Sequence, residues 1–352
     1  MNPILGTMNI EYKYSSLDEY SSLDNNLSSD KYSSSDNNLS SDKYSSLDEN
    51  HTNKYKEIIH QYLKEYDNRA ILDTAYYYGN TKTEEVLGKI LKDLGHTPKI
   101  ATKANPWYNN DFTNGILGQL SPNNLENQLN TSLRNLMVDN VEVFYLHCPD
   151  YETPFKDTLE KCDELWRKEK FNFLGISNHS DKQLLEIIDI CDKENYIMPE
   201  YYQGMYNLIS RKVESIFPIL DEYNIEFWAY NPLAGGLLTG KYKNFIKNED
   251  ITFNSRFKNN KIYQNIFWKE DIIKNLSTFF TYDNQTDIAF QWLKNNSKMR
   301  ENDKIILGVS TPEQLNKNIH IMRNNSCLGE DIIREVNNIY SKIETISPNY
   351  FY

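Results

Sequence analysis

From about Asn50 to the end, short apolar runs alternate with stretches whose apolar residues recur at helical spacing, and this constrains the fold more than anything else in the sequence. Apolar runs stand at residues 70–72, 99–102, 141–146, 171–174, 200–203, 225–229 and 304–307. Pro3 to Met8 adds a first one ahead of them. Helical patterns fill the gaps at 52–66, 81–94, 122–136, 154–168, 181–193, 210–223, 284–294 and 312–322, and a last one covers 329–343. Eight strands alternating with helices favour an α/β fold of the TIM barrel type, (β/α)8, over a doubly wound sheet. Periodicity alone leaves the second open, because it carries no information on closure.

Two segments break the rhythm. Residues 11–50 are built from YSSLD and NNLSSD units, too poor in apolar side chains to offset the entropy of ordering them, and read as a disordered low-complexity insertion. Residues 233–283 are rich in glycine and charge and read as a long connection. The domain division expected is therefore a first strand region at 1–10, the insertion at 11–50 and a barrel over 51–352.

The chain is acidic, with a net charge of −12, so it lacks the basic surface that phosphate backbones or anionic membranes require. Neither nucleic acid nor a membrane is expected as a partner. Cys148, Cys162, Cys191 and Cys327 are far apart in sequence, without a CxxC pair or a histidine at metal-ligand spacing, and read as reduced, buried thiols; no metal is expected. With no signal-peptide pattern and no run approaching the roughly 20 apolar residues of a membrane span, the expected location is cytoplasmic.

In a barrel, the working residues sit where strands end at the C-terminal face. The polar residues after successive apolar runs are Asp73, Lys103, His147, Ser177 with Asn178, Gln203, and Tyr230 with Asn231. Each alone is an ordinary cap, turn or solvated residue. Together they have a chemical logic: Asp73 holds the Lys103 ammonium, which favours ionisation of the Tyr78 phenol, and His147 hydrogen-bonds the oxygen that Tyr78 protonates. Three look-alikes fail. Gly235 to Lys241 has phosphate-loop spacing but Tyr242 stands where Ser or Thr would reach magnesium; Gly175 to Asn178 lacks the second glycine of a nucleophile elbow; no GxGxxG follows a strand.

The segments LDTAYYYG (72–79), KIATKANPW (99–107), VFYLHCPD (143–150), LGISN (174–178), YQGMYN (202–207), YNPLAGGLLTGKY (230–242), FWKE (267–270), ILGVSTPEQLNKN (306–318) and SPNYF (347–351) resemble, in order, the aldo-keto reductases, above all the aflatoxin aldehyde reductase and succinic semialdehyde reductase subfamily. The resemblance implies a (β/α)8 barrel binding NADPH in an extended pose and reducing an aldehyde or ketone, with Asp73, Tyr78, Lys103 and His147 as the catalytic tetrad. It places Trp107 and Tyr263 with Tyr78 and His147 around the carbonyl substrate. Ser177, Asn178 and Gln203, with Asp73, match residues at the carboxamide end of the cofactor, and Tyr230 matches the ring that stacks on the nicotinamide. Asn231, Pro232, Leu233, Gly235 and Lys241 match the pyrophosphate loop; Arg256, Ser310, Gln314 and Asn318 match the adenosine end with its 2′-phosphate. A homodimer is expected from the subfamily alone. Ile266 and Tyr352 stand where the subfamily commonly has arginines facing a substrate carboxylate. Potassium-channel beta subunits share much of this motif set, so a cofactor-binding regulatory subunit is the alternative.

Overall fold

The protein is described by a computed structural model covering residues 2–8, 10, 49–107, 117–241, 266–324 and 326–351. Eight parallel strands close on themselves: β1 (Ile4–Gly6), β2 (Ile71–Asp73), β3 (Lys99–Ala104), β4 (Val141–Leu146), β5 (Phe171–Ser177), β6 (Pro199–Met205), β7 (Glu226–Tyr230) and β8 (Lys304–Leu307). Three-residue β1 closes the ring by pairing Leu5 with Leu72 on one side and with Leu307 on the other. The doubly wound alternative is thereby excluded, and the fold is a TIM barrel.

Helices α1 (Glu49–Tyr66), α2 (Thr83–Leu94), α3 (Pro122–Leu136), α4 (Phe155–Arg167), α5 (Asp181–Glu194), α6 (Phe217–Glu222), α7 (Glu270–Asn275), α8 (Gln285–Asn295), α9 (Pro312–Arg323) and α10 (Glu330–Ile343) lie between and after the strands. Their ends follow local chemistry. Ser180 and Gln183 form a reciprocal capping box at the start of α5, and Gly95 and Asn195 take left-handed conformations where α2 and α5 stop.

Strand alternation sorts the buried residues into two cores. One set, including Ile4, Ala101, Val143, Tyr145, Trp228 and Ile306, packs inside the barrel. The other, including Ile100, Phe144, Leu174, Tyr202 and Phe227, packs with Leu87, Leu129 and Leu184 from the helices. Inside the barrel Tyr145 pairs with Gly175 on the neighbouring strand. A Cβ on Gly175 would lie 2.3 Å from the Tyr145 ring, so only glycine leaves room for that phenol.

Several boundaries differ from the sequence reading. The helix expected over 210–223 is a 3-10 turn, Lys212–Ile216, followed by the short α6. Pro218 has no N–H for the preceding turn, and Asn207 and Ser210 pair with each other across a tight turn, so a continuous helix cannot form. Strands β5 and β6 run on to Ser177 and Met205, past their apolar runs: Ser177 is buried and pairs with Gln203, and Gly204 and Met205 pair with Ala229 and Tyr230 of β7. Helix α1 begins at Glu49, inside the range assigned to the insertion, whose residues 11–48 lie outside those described. Cys148, Cys162 and Cys191 are buried free thiols, but Cys327 is exposed, because it follows α9 on a surface connection and not within a core-facing pattern.

After α10 the chain folds back. The Arg211 guanidinium lies between the rings of Trp292 (4.1 Å) and Tyr340 (4.6 Å) and donates to Leu208 O, Asn337 Oδ1 and Val336 O. Ser347 Oγ donates to Ile209 O, and the Tyr350 hydroxyl meets that of Ser215. The tail is thus fastened to the loop after β6. Gly175→Ala is expected to cost about 1–3 kcal/mol by overpacking. Urea unfolding measures it, and Tyr145→Leu in the same chain should recover part of the loss.

Candidate active site

Asp73 ends β2 and Lys103 lies one strand away on β3, both aimed into the barrel and both buried. Lys103 Nζ donates to Asp73 Oδ1 at 2.7 Å and to Thr74 O at 2.6 Å. Gln203 Nε2 donates to the same Asp73 oxygen at 2.8 Å, across the barrel from β6. Burial pulls the ammonium below its ordinary range, and the charge and hydrogen bond of Asp73 oppose that shift.

Tyr78 follows in the loop after β2, where two turns fix its backbone. Its N–H bonds to Ala75 O at 3.0 Å and its carbonyl accepts from Thr83 N at 3.3 Å. The Lys103 ammonium lies 5.2 Å from the centre of the Tyr78 ring and 5.7 Å from that of Tyr145, so two phenols flank it. The His147 ring meets Tyr78 edge-on, 6.0 Å between centres, and Trp107 lies 5.8 Å from His147. Trp107 is held in turn: Asn105 Nδ2 donates to its carbonyl at 2.7 Å, and Gln128 on α3 bonds both backbone groups of Asn105. Tyr77 packs edge-on against the same indole at 5.6 Å.

His147 is buried, and its Nδ1 has no hydrogen-bond partner among the described residues. Burial, with the Lys103 charge beside it, pushes the imidazole down to about 3. It is a neutral ring at physiological pH. The unfolded chain takes up this proton below about 6.5 while the folded protein declines it until about 3, so stability is lost as pH falls through that window.

A second chain of contacts leads away from His147. Asn178 Nδ2 donates to His147 O at 2.9 Å and to Ser177 Oγ at 3.0 Å, and Asn178 Oδ1 accepts from the Tyr230 hydroxyl at 2.7 Å. Asn178 holds a left-handed backbone (φ 58°), as does Asn231 just past β7 (φ 54°). Asn207 Nδ2 fixes the latter through Asn231 O at 2.9 Å. Pro232 and Leu233 lead into the 3-10 turn Ala234–Thr239, where Ala234, Gly235, Gly236 and then Gly240 all have positive φ. A Cβ on Gly240 would stand 1.5 Å from Gln285 Oε1 on α8. Lys241 is exposed at the end of this loop.

Ser310 and Gln314 stand at the start of α9, where Gln314 Oε1 accepts from Ser310 N at 2.8 Å; Asn318, a turn further on, is buried. They belong to the same C-terminal face of the barrel but make no direct hydrogen bond to the tetrad among the contacts of the described residues. Arg256, Tyr263 and Tyr352 lie outside the described residues. No cluster of three metal-ligating side chains occurs among the described residues.

Thr74, Glu84 and Tyr145 were not singled out as site residues by the strand-end reading. Tyr145 is two residues before His147, so alternation alone puts both on the inner face. Glu84 shares a helical face with Leu87, Gly88 and Leu91, a spacing that marks it as core-facing. Thr74 acts through its carbonyl, which no side-chain pattern reveals.

Nuclear magnetic resonance of the His147 ring should show no protonation step between pH 5 and 8; a step near 6.5 would mean the ring is hydrated and not enclosed as described.

The aldo/keto reductase family model matches residues 39–340. Aflatoxin B1 aldehyde reductase member 2 from Mus musculus is 37% identical over 297 residues, covering 80% of this chain and 78% of the relative. Aflatoxin B1 aldehyde reductase member 4 from Homo sapiens is 36% identical, covering 80% and 87%. Among solved structures, a glycerol dehydrogenase from Gluconobacter oxydans superposes with a TM-score of 0.63 at 24% identity over 84% of this chain and 87% of that one, a likeness of fold. On the match over most of its length and on these relatives, the chain belongs to the aldo/keto reductase family.

Proposed function

We propose that the protein reduces aldehydes or ketones to alcohols with NADPH, and that Tyr78 is the acid that protonates the carbonyl oxygen. The observation that carries this reading is the buried Lys103 ammonium, held by Asp73 at 2.7 Å and lying 5.2 Å from the Tyr78 ring. The family and the aldehyde reductase relatives support carbonyl reduction as the reaction class. The regulatory-subunit reading has no observation of its own in its favour.

The residues present fit a dinucleotide. Asn231, Ala234, Gly235, Gly236 and Gly240 have positive φ, the backbone geometry from which phosphate-binding concavities are built. Ser177, Asn178, Gln203 and Tyr230 gather hydrogen-bonding groups and a ring between that loop and the tetrad. A nicotinamide cofactor bound there supplies a hydride to the carbonyl carbon. NADPH in place of NADH rests on Lys241 and Arg256, and on Ser310, Gln314 and Asn318, as inherited positions.

Tyr78 gives its proton to the oxygen as negative charge develops there, and the adjacent ammonium stabilises the phenolate left behind. Asp73 fixes where that ammonium stands and need not touch the substrate. His147, neutral because of its burial, can hydrogen-bond the same oxygen without competing with Tyr78 as acid. Trp107 supplies an apolar wall, so the developing charge meets few competing waters.

Mixing the protein with NADPH and 4-nitrobenzaldehyde and following cofactor absorbance tests the reading. Tyr78→Phe should lower kcat by about 10²–10⁴-fold with NADPH affinity unchanged. Turnover insensitive to that substitution would remove Tyr78 from the role. Because Ile266 cannot donate to a carboxylate, succinic semialdehyde should be a poorer substrate than the uncharged aromatic aldehyde. Loss of one charge-assisted bond of about 1.5–3 kcal/mol corresponds to about 10–150-fold in kcat/KM. Ile266→Arg should recover part of it, and equal kcat/KM for both aldehydes in the wild type would contradict the argument.

A further inference from the structure

Glu84 is a buried acid that the mechanism above does not use. It stands in the first turn of α2 and is 1% exposed, enclosed between that helix, β3 and α3. The Thr102 hydroxyl donates to its Oε1, and the Ser132 hydroxyl on α3 lies beside the same carboxyl, although Oε2 lacks a well-formed hydrogen bond. No cation is within ion-pair distance of it among the described residues. A carboxyl enclosed this way is costly to ionise, and a helix could place leucine there at no such cost.

Its neighbour in the chain of contacts gives it a task. Thr102 points outward from β3 and the next residue, Lys103, points inward, so the Glu84 carboxyl and the ammonium stand on opposite faces of one strand. The charge that acts on Glu84 is that of Lys103, and Glu84 acts on Lys103 in return. Thr102 and Ser132, the other groups facing it, do not titrate. Beyond Lys103 come Asp73, Tyr78, Tyr145 and His147.

We propose that Glu84 is a positioning residue for the proton-donating pair: from behind β3 it shares the Lys103 charge with Asp73 and so sets how strongly that charge draws Tyr78 towards phenolate. Ionised Glu84 offsets part of the ammonium's field, and Tyr78 keeps its proton to higher pH. Protonated Glu84 leaves the full field on the phenol. Burial pushes the Glu84 carboxyl up to about 7, against the pull of Thr102, Ser132 and Lys103, so the change falls within the working range of pH. The effect acts through Lys103, and Glu84 touches neither substrate nor cofactor.

This inference rests on the role proposed for Tyr78, and a titration that needs no turnover separates the two. The tyrosinate absorbance of wild type minus that of Tyr78→Phe isolates the Tyr78 phenol from the other tyrosines. The same difference is then taken with Glu84→Gln in both chains. Glu84→Gln should lower the Tyr78 midpoint by about half a pH unit or more. The alkaline limb of kcat/KM for carbonyl reduction should move down with it. Thr102→Val removes the hydroxyl that favours ionised Glu84 and should move both in the same direction by less, which decides the matter if Glu84→Gln does not fold. A Tyr78 midpoint unchanged in the folded variants overturns the proposal and leaves Glu84 a packing residue. Absence of turnover with the midpoint shifted overturns the reductase reading alone.

Discussion

The Asp73–Lys103 ion pair is the interaction on which the rest of the site depends. Both partners are buried, and taking two charges from water costs several kcal/mol per ion unless geometry and further hydrogen bonds compensate. Here the compensation is dense: Lys103 gains the Thr74 carbonyl, and Asp73 gains the Gln203 amide from the far side of the barrel. Such a pair contributes little to net stability. It fixes a positive charge at one point in a medium that screens it poorly, and the Thr74 carbonyl, the Gln203 amide and two phenol rings gather around that point. His147 stays neutral partly because of it, and Tyr78 and Tyr145 present their rings to it.

Closure of the barrel makes the pair possible. Asp73 and Gln203 are 130 positions apart in sequence, yet alternation along β2 and β6 turns both inward, and a closed sheet brings inward residues of distant strands within hydrogen-bond reach. Gly175 serves the same end by omission, since its missing side chain is the space in which the Tyr145 ring stands.

Much of this was legible from the residues, and the reason differs by element. Asp73 and His147 stand out because a polar residue after an apolar run is conspicuous. Lys103 was equally visible, although it lies inside β3 and not beyond it. Strands β5 and β6 extend beyond the expected 171–174 and 200–203, because Gly175, Ser177 and Gly204 resemble the start of a loop in sequence and are held in the sheet only by pairing with neighbouring strands. The broken helix at 210–223 was hidden because its apolar spacing is helical while Pro218 and the Asn207–Ser210 turn decide otherwise. Arg211 was invisible as a buried residue, because a guanidinium is enclosed only when distant rings and carbonyls converge on it. The partners of Asn178 and Tyr230 depend on left-handed backbone at a strand end, which asparagine permits but does not announce.

The Arg211 clamp has a consequence for how the chain is made. Its partners Asn337, Val336 and Tyr340 belong to α10, and Trp292 to α8, so the guanidinium has no full enclosure until α10 has been synthesised. Strands up to β7 can pair as they emerge, but the turn after β6 acquires its final bracing only when α10 leaves the ribosome. A nascent chain stalled before α10 would carry a barrel wall with a charged side chain looking for water. Bracing of the turn after β6 therefore waits for a helix whose contact lies 125 positions further along the chain.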